Sequence, residues 1–193
     1  GEYLLFLDAD DFFEHKMLEL SYKKACQLNA DIVIFKADRY LQTEDKFVDI
    51  SSINYKLLPQ CDCFAATDVE KNIFRSVVGW TWDKLFRHNF VKRFNIRFQE
   101  IRIHNDLLFT YAALISAERI TLLNHKFTHQ RKRGGGSISD EFREWWCTFD
   151  ALKGLKQYIE SHNFSNRFGQ DFTNYAAYLL LYNLNRLQGD TAQ

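Results

Sequence analysis

Tyr3-Leu4-Leu5-Phe6-Leu7-Asp8-Ala9-Asp10-Asp11 is an apolar run that stops on three acids. A short continuous apolar stretch ended by turn residues is the pattern of a strand buried on both faces. Downstream, Glu14 to Leu28 repeats its apolar residues at helical spacing, with Leu18, Tyr22, Ala25 and Leu28 on one face. Asn29-Ala30-Asp31 punctuates that helix, and Ile32-Val33-Ile34-Phe35 reads as the next strand. Strand, helix, strand is the unit from which parallel or mixed sheets are built, so the fold class is α/β.

Further along the chain, residues 41–66 have weak periodicity and predict short strands and loops. Thr67-Asp68-Val69-Glu70 has the form of a capping box and predicts a helix to about Val77. Trp80 to Phe86 alternates apolar and polar residues, as a strand does, and a short helix is expected after Asn89. His104 or Asn105 caps a helix through Leu107, Tyr111, Leu114 and Ile115, ending near Ala117. Arg119–Leu123 and Lys126–Arg131 read as two short strands. Gly134-Gly135-Gly136-Ser137 is expected to be a mobile loop, since glycine places no side-chain constraint on φ. Beyond it, Ser139 caps a helix carrying Phe142, Trp145, Trp146, Phe149, Leu152 and Ile159. A second helix spans about Phe168 to Leu187, so the two form a C-terminal helical hairpin.

The composition narrows the function. The 193 residues carry 25 Lys+Arg and 25 Asp+Glu, a formal charge of zero, with 46% hydrophobic and 16% aromatic residues. That balance excludes a nucleic-acid binder driven by bulk positive charge, and it excludes a disordered chain. At this size one core buries roughly 70% of the unfolded surface without staples. Cys26, Cys61, Cys63 and Cys147 show neither a CxxC pair nor zinc spacing, so they read as reduced thiols in a cytoplasmic setting. No apolar run approaches the ~20 residues of a membrane span. The aromatic load of the C-terminal hairpin reads first as packing against the α/β body. A homodimer or peripheral membrane contact through those helices is the second reading.

Chemistry is concentrated where the first strand stops. Asp8, Asp10 and Asp11 repel one another unless a cation or hydrogen-bond donors sit among them. Ligands of open α/β sheets bind at the carboxyl ends of strands, which is where the cluster falls. Hard oxygen ligands suit Mg²⁺ or Mn²⁺, which in turn hold phosphate oxygens. A solvated acidic turn capping the next helix is the bland alternative.

Phe6-Leu7-Asp8-Ala9-Asp10-Asp11 resembles the strand end of family-two glycosyltransferases, inverting enzymes of the GT-A fold. Three later segments are similar to that family in the same order: Trp82-Asp83-Lys84-Leu85-Phe86, His104-Asn105-Asp106-Leu107-Leu108-Phe109, and Arg131-Lys132-Arg133 followed by Ser137-Ile138-Ser139. The resemblance covers residues 3–139 and does not extend over 140–193. It implies a partial GT-A-like mixed sheet flanked by helices: residues 1–139 as the acceptor-side part of the catalytic domain and 140–193 as a helical extension. The apolar start of the chain predicts a piece of a longer protein whose nucleotide-binding half precedes Gly1, and hence weak donor binding by this piece alone.

What the resemblance implies for chemistry is a nucleotide-sugar donor, a UDP-sugar by preference, a saccharide or lipid-linked acceptor, and a divalent metal, Mg or Mn. Asp10 would face the metal, Asp8 the ribose side of the nucleotide, and Asp106 would be the general base. Arg131, Arg133 and Ser137 would bind the donor, the arginines as a clamp beside the glycine loop. Trp82, Lys84 and Asn105 fall to the acceptor region, with Trp82 reading first as a structural core residue and Lys84 open between the two roles. Asn105 departs from the family's usual Glu, and its amide makes neutral hydrogen bonds only. His129 reads as a packed or exposed strand residue. Two rivals stand beside this reading. One is a phosphatase of the haloacid-dehalogenase type, which also sets Asp-x-Asp at a strand end. The other is a non-catalytic interaction domain on the same scaffold.

Overall fold

Ile32-Val33-Ile34-Phe35 is the spine of the molecule, each residue at most 1% exposed. Alternate side chains leave a strand on opposite faces, and the packing follows: Ile32 and Ile34 join one core, Val33 and Phe35 the other side. Burying each such side chain contributes about 1.5–3 kcal/mol, so the strand is covered twice. This is a computed structural model and describes residues 1–133 and 146–190, without the side chains of 186–190.

Six strands form one mixed sheet: β1 (Tyr3–Leu5), β2 (Phe12–Phe13), β3 (Ile32–Leu41), β4 (Lys46–Asp49), β5 (Lys84–Arg87) and β6 (Ile120–Lys132). The order is β1-β5-β3-β6-β2, with β4 paired to the far end of β3. Among the described residues only β3 and β6 run parallel; the other pairs are antiparallel. Helix α1 (Met17–Gln27) covers one face, with Met17 against Phe35 and Phe127 and Ala25 against Val33. The other face carries α3 (Asn105–Ser116), with α4 (Cys147–Ser161) and α5 (Ser165–Asp190) packed beyond it in the same core. The short α2 (His88–Arg93) follows β5.

The α/β class, the mixed sheet and the helical hairpin agree with the sequence expectation. Four local readings do not. Residues 67–77 form no α-helix. The Asp68 carboxylate accepts the Ala65 N–H at 2.8 Å, which closes a single 3-10 turn over Ala66–Asp68. Asn72 then takes a left-handed φ of 58° into a second turn, Ile73–Arg75, and Asp171 of α5 captures the Ile73 N–H at 3.1 Å. Tertiary partners thus claim the groups a helix would need. The two strands expected over 119–131 are one strand, β6, whose register against β3 jumps from Phe35↔Leu123 to Lys36↔Lys126. A bulge takes up the extra residues, and the polar Asn124-His125 pair that reads as a turn is that bulge. Helix α1 begins at Met17, not Glu14, and the Glu14 N–H bonds the Phe127 carbonyl at 2.9 Å, which ties the segment before the helix to β6. The strand over 80–86 is confined to Lys84–Arg87.

The glycine loop, Ser137, Ser139, Phe142 and Trp145 lie outside the described residues, as does the expected boundary at 139/140. The hairpin packs on the α/β body, as its aromatic load predicts: Phe168 and Tyr175 are buried in the main core. Among the described residues no helix is long and apolar enough to cross a membrane. All four cysteines are free.

Candidate active site

The chain leaves β1 at Leu5 and carries Asp8, Asp10 and Asp11 into the turn before β2. The Asp11 carboxylate accepts the Arg131 backbone N–H at 2.8 Å, which fastens this turn to β6. Partial desolvation raises Asp11's pKa above the ordinary carboxylate value, while the Arg131 N–H and charge oppose the rise. Asp8 is also raised, first by desolvation and then by the Asp10 charge. Asp8 and Asp10 are exposed. Among the described residues no group of three or more His, Cys, Asp or Glu side chains could hold a metal ion. The donor set at this turn is thus one or two carboxylates, which fits an ion completed by waters and phosphate oxygens rather than a cage of protein ligands.

Asp8 opens onto a cleft of about 740 Å³ that also receives Asp106. Asp106 sits in the first turn of α3, entered through His104 at a left-handed φ of 63°. Burial is the main cause that pushes the Asp106 carboxyl up from 3.8 to about 6. Its own backbone N–H and the Lys84 ammonium oppose that rise, and the Asp8 and Asp83 charges add to it. Asp8 and Asp106 therefore share a cavity and feel each other's charge, whereas Asp10, the expected metal ligand, does not line it. A carboxyl near 6 is ionised at neutral pH yet close enough to take a proton, as a general base requires.

The remaining expected residues fall into two groups. Trp82 and Asn105 line the cleft; Trp82 is 4% exposed and stacks on Trp80 at 4.5 Å. Lys84 does not line it. Its ammonium is 1% exposed beneath the cleft wall and donates to the carbonyls of Val78 (2.9 Å) and Trp80 (2.7 Å) and to the Asp83 carboxylate (2.5 Å). With three donors used on three acceptors it has none to offer an acceptor hydroxyl. Arg131 lies beside the acids but not in the cleft: strand alternation presents Gln130 to the cavity, while the Arg131 guanidinium rests over Phe12 at 5.4 Å. Arg133 is exposed at the end of the described segment, and Ser137 lies outside it. His129 is a packed residue, bonded to Asp38 at 2.6 Å and Glu14 at 3.1 Å.

The cleft has a wall that sequence reasoning missed. Tyr111 of α3 meets Tyr175 of α5 at 5.0 Å and Phe74 at 5.4 Å, and Tyr178 and Asn183 extend that wall along α5. Asn183 donates to Thr148 of α4 at 2.8 Å, which fixes the hairpin at the cleft edge. Gly79 lets the Tyr111 ring approach, since a Cβ there would stand 3.1 Å from its Cε2. The one-turn spacing of Tyr175 and Tyr178 marks a shared helix face, but only the fold aims that face at Asp106.

Known proteins share the sequence pattern and the fold. Residues 1–102 match the family described as Glycosyl transferase family 2. The cholesterol galactosyltransferase of Borreliella burgdorferi is 29% identical over 72% of this chain and 40% of its own. The poly(ribitol-phosphate) beta-N-acetylglucosaminyltransferase TarS of Staphylococcus aureus is 26% identical over 74% of this chain and 23% of its own. The chain thus spans less than half the length of these relatives. The crystal structure of S. aureus TarS with UDP-GlcNAc shares the fold at a TM-score of 0.62 and 20% identity, over 82% of this chain and 43% of that one.

Proposed function

The chain belongs to glycosyl transferase family 2 and has the GT-A fold of that family's solved members, and from that premise we propose that it forms the acceptor-side part of an enzyme that moves a sugar from a nucleotide-sugar donor to an acceptor hydroxyl with inversion. The observation that carries the proposal is the single cleft shared by Asp8 and an Asp106 raised to about 6.

Asp106 accepts the proton of the acceptor hydroxyl as that oxygen forms its bond to the anomeric carbon. The bond from that carbon to the donor's diphosphate breaks on the opposite side, and the electron pair leaves with the nucleoside diphosphate. Attack from one side and departure from the other inverts the centre. A positioned base contributes ~10²–10⁴-fold. Asp10, with Asp8 beside it, would hold a Mg²⁺ or Mn²⁺ ion, which when bound supplies charge neutralisation for the departing diphosphate. Arg131 places a positive charge on the same side, next to Asp11. Trp80 and Trp82 offer an aromatic wall to a sugar ring. UDP is the nucleotide we assign, since the structural neighbour is bound to UDP-GlcNAc. The family match sets the phosphatase reading aside.

The test is UDP release from UDP-GlcNAc and other UDP-sugars by the full polypeptide that carries this chain. Release is expected to need Mg²⁺ or Mn²⁺, to stop on chelation, and to fall at least tenfold in Asp8→Asn with the circular dichroism unchanged. Release that persists in chelator and in the variant overturns the proposal.

A further inference from the structure

The cleft lining carries charges of both signs. Asp8 belongs to the acidic turn, whose acids repel an anion unless a cation intervenes. Arg75 also lines the cleft, with its guanidinium over the Tyr178 ring at 4.6 Å. A run of packed rings links it to the base: α3 carries Asp106 and then Tyr111, Tyr111 packs on Tyr175, and Tyr178 follows one turn later on α5. Arg75 and Asp106 thus face one cavity.

Arg75 differs from the paired cations of the surface. Arg87 and Arg93 each face a carboxylate, whereas Arg75 has no carboxylate within ion-pair distance among the described residues. Stacking on Tyr178 holds the planar fork in place and leaves its edge for an oxyanion, the geometry that suits bidentate phosphate contacts. The support beneath it is rigid. The 3-10 turn Ile73–Arg75 is bonded to the buried Asp171 of α5. Arg102 adds a second positive charge to the lining. Beyond Tyr178 the same helix exposes Leu181 and Tyr182, 60% and 50% accessible, an apolar strip leading out of the cleft.

We propose that Arg75, stacked on Tyr178, is a phosphate subsite on the acceptor side, so that the acceptor presents its hydroxyl to Asp106 while a phosphodiester a short distance along the molecule rests on Arg75. This rests on the sugar-transfer reading of the cleft and names its acceptor class. The phosphate belongs either to a soluble polyol-phosphate chain or to a lipid-linked one, whose apolar part would follow Leu181 and Tyr182.

The probe is glycerophosphoglycerol, a phosphodiester with free hydroxyls, its binding followed by calorimetry, with free glycerol as the neutral control. The phosphodiester is expected to bind, more weakly as salt rises, and glycerol is not. Arg75→Ala is expected to weaken binding roughly tenfold, the effect of losing a charge-assisted contact, with Arg75→Lys in between. Because Arg75 is exposed, both variants should keep the wild-type unfolding midpoint; Tyr178→Ala, which removes the stack, gives a second line. Vesicles of phosphatidylcholine with and without phosphatidylglycerol separate the sources: binding only with phosphatidylglycerol, lost in Leu181→Ser, indicates the lipid-linked form, and binding of the soluble probe alone indicates the polymer. Equal affinity of wild type and Arg75→Ala for the phosphodiester, or equal affinity for phosphodiester and glycerol, overturns the inference. Neither result touches the metal-dependent UDP release, so the two readings fail separately.

Discussion

Asp106→Asn is expected to slow sugar transfer by ~10²–10⁴-fold and, in the same protein, to make the fold more stable at about pH 7. Both effects have one cause. Burial raises the Asp106 carboxyl from 3.8 to about 6, so between those values the folded chain binds a proton that the unfolded chain has released. A group with its folded value raised in this way makes stability fall as pH rises through that window. At neutral pH the ionised carboxylate costs the fold about 1–3 kcal/mol, since a tenfold change in acidity corresponds to ~1.4 kcal/mol and partial solvent contact reduces the whole. Asparagine keeps the shape and removes the charge. Its denaturation midpoint should exceed the wild type's near neutrality, and the two should converge below about pH 4, where Asp106 is protonated in both states. In the wild type kcat/KM should climb about tenfold per pH unit up to about 6 and level off above it, because the base must be ionised. A variant with normal transfer, or with lower stability at neutral pH, contradicts this. A site that destabilises its own fold is expected where chemistry sets the choice of residue.

Lys84→Met is expected to be the most damaging single substitution to stability. Asp83 is fully buried, burial pushes its carboxyl up, and Lys84 is the cation that opposes that rise. The second carboxylate oxygen of Asp83 is buried without a partner among the described residues, so the pair has no spare hydrogen bond to fall back on. Removing one member of a buried ion pair costs about 3–5 kcal/mol. Two carbonyl bonds to Val78 and Trp80 go with it, so the wall that carries Gly79 and Trp80 should loosen as well. Urea unfolding measures the first effect, and the emission of the stacked Trp80–Trp82 pair, read in a Trp145→Phe/Trp146→Phe background, reports the second. The double variant Asp83→Leu/Lys84→Met should recover much of the lost stability, since it leaves no unpaired charge. Wild-type stability in Lys84→Met would show that the fold does not depend on the pair.

The parts of the fold legible in the sequence are those decided within a few residues. Ile32–Phe35 is apolar on both faces and has to be a covered strand, and the acids after Leu7 have to lie outside the first strand. Asp106 in a first turn is visible because a helix start is a local event. What could not be read is decided by partners far along the chain. Thr67–Glu70 has the letters of a capping box, yet Ala65 takes the Asp68 carboxylate and Asp171, about a hundred positions on, takes the Ile73 N–H. Lys84 sits in an alternating segment that points it outward on paper, and only the bend at Val78–Trp80 supplies the carbonyls that bury it. Gln130 lines the cleft and Arg131 lies over Phe12 because successive residues of β6 leave the strand on opposite faces. The tyrosines of α5 look like core from their spacing. Tyr175 is core, and Tyr178, one turn on, is half exposed at the cleft rim.

The most direct test is a titration of the Asp106 side-chain carboxyl, followed by its carbon-13 resonance, in this chain and in its Asp8→Asn variant. A midpoint near 6 that moves downward when the Asp8 charge is removed is the expected result, because the two acids look into one cavity. A midpoint at the ordinary aspartate value of about 3.9, indifferent to Asp8, would mean that they do not share a site.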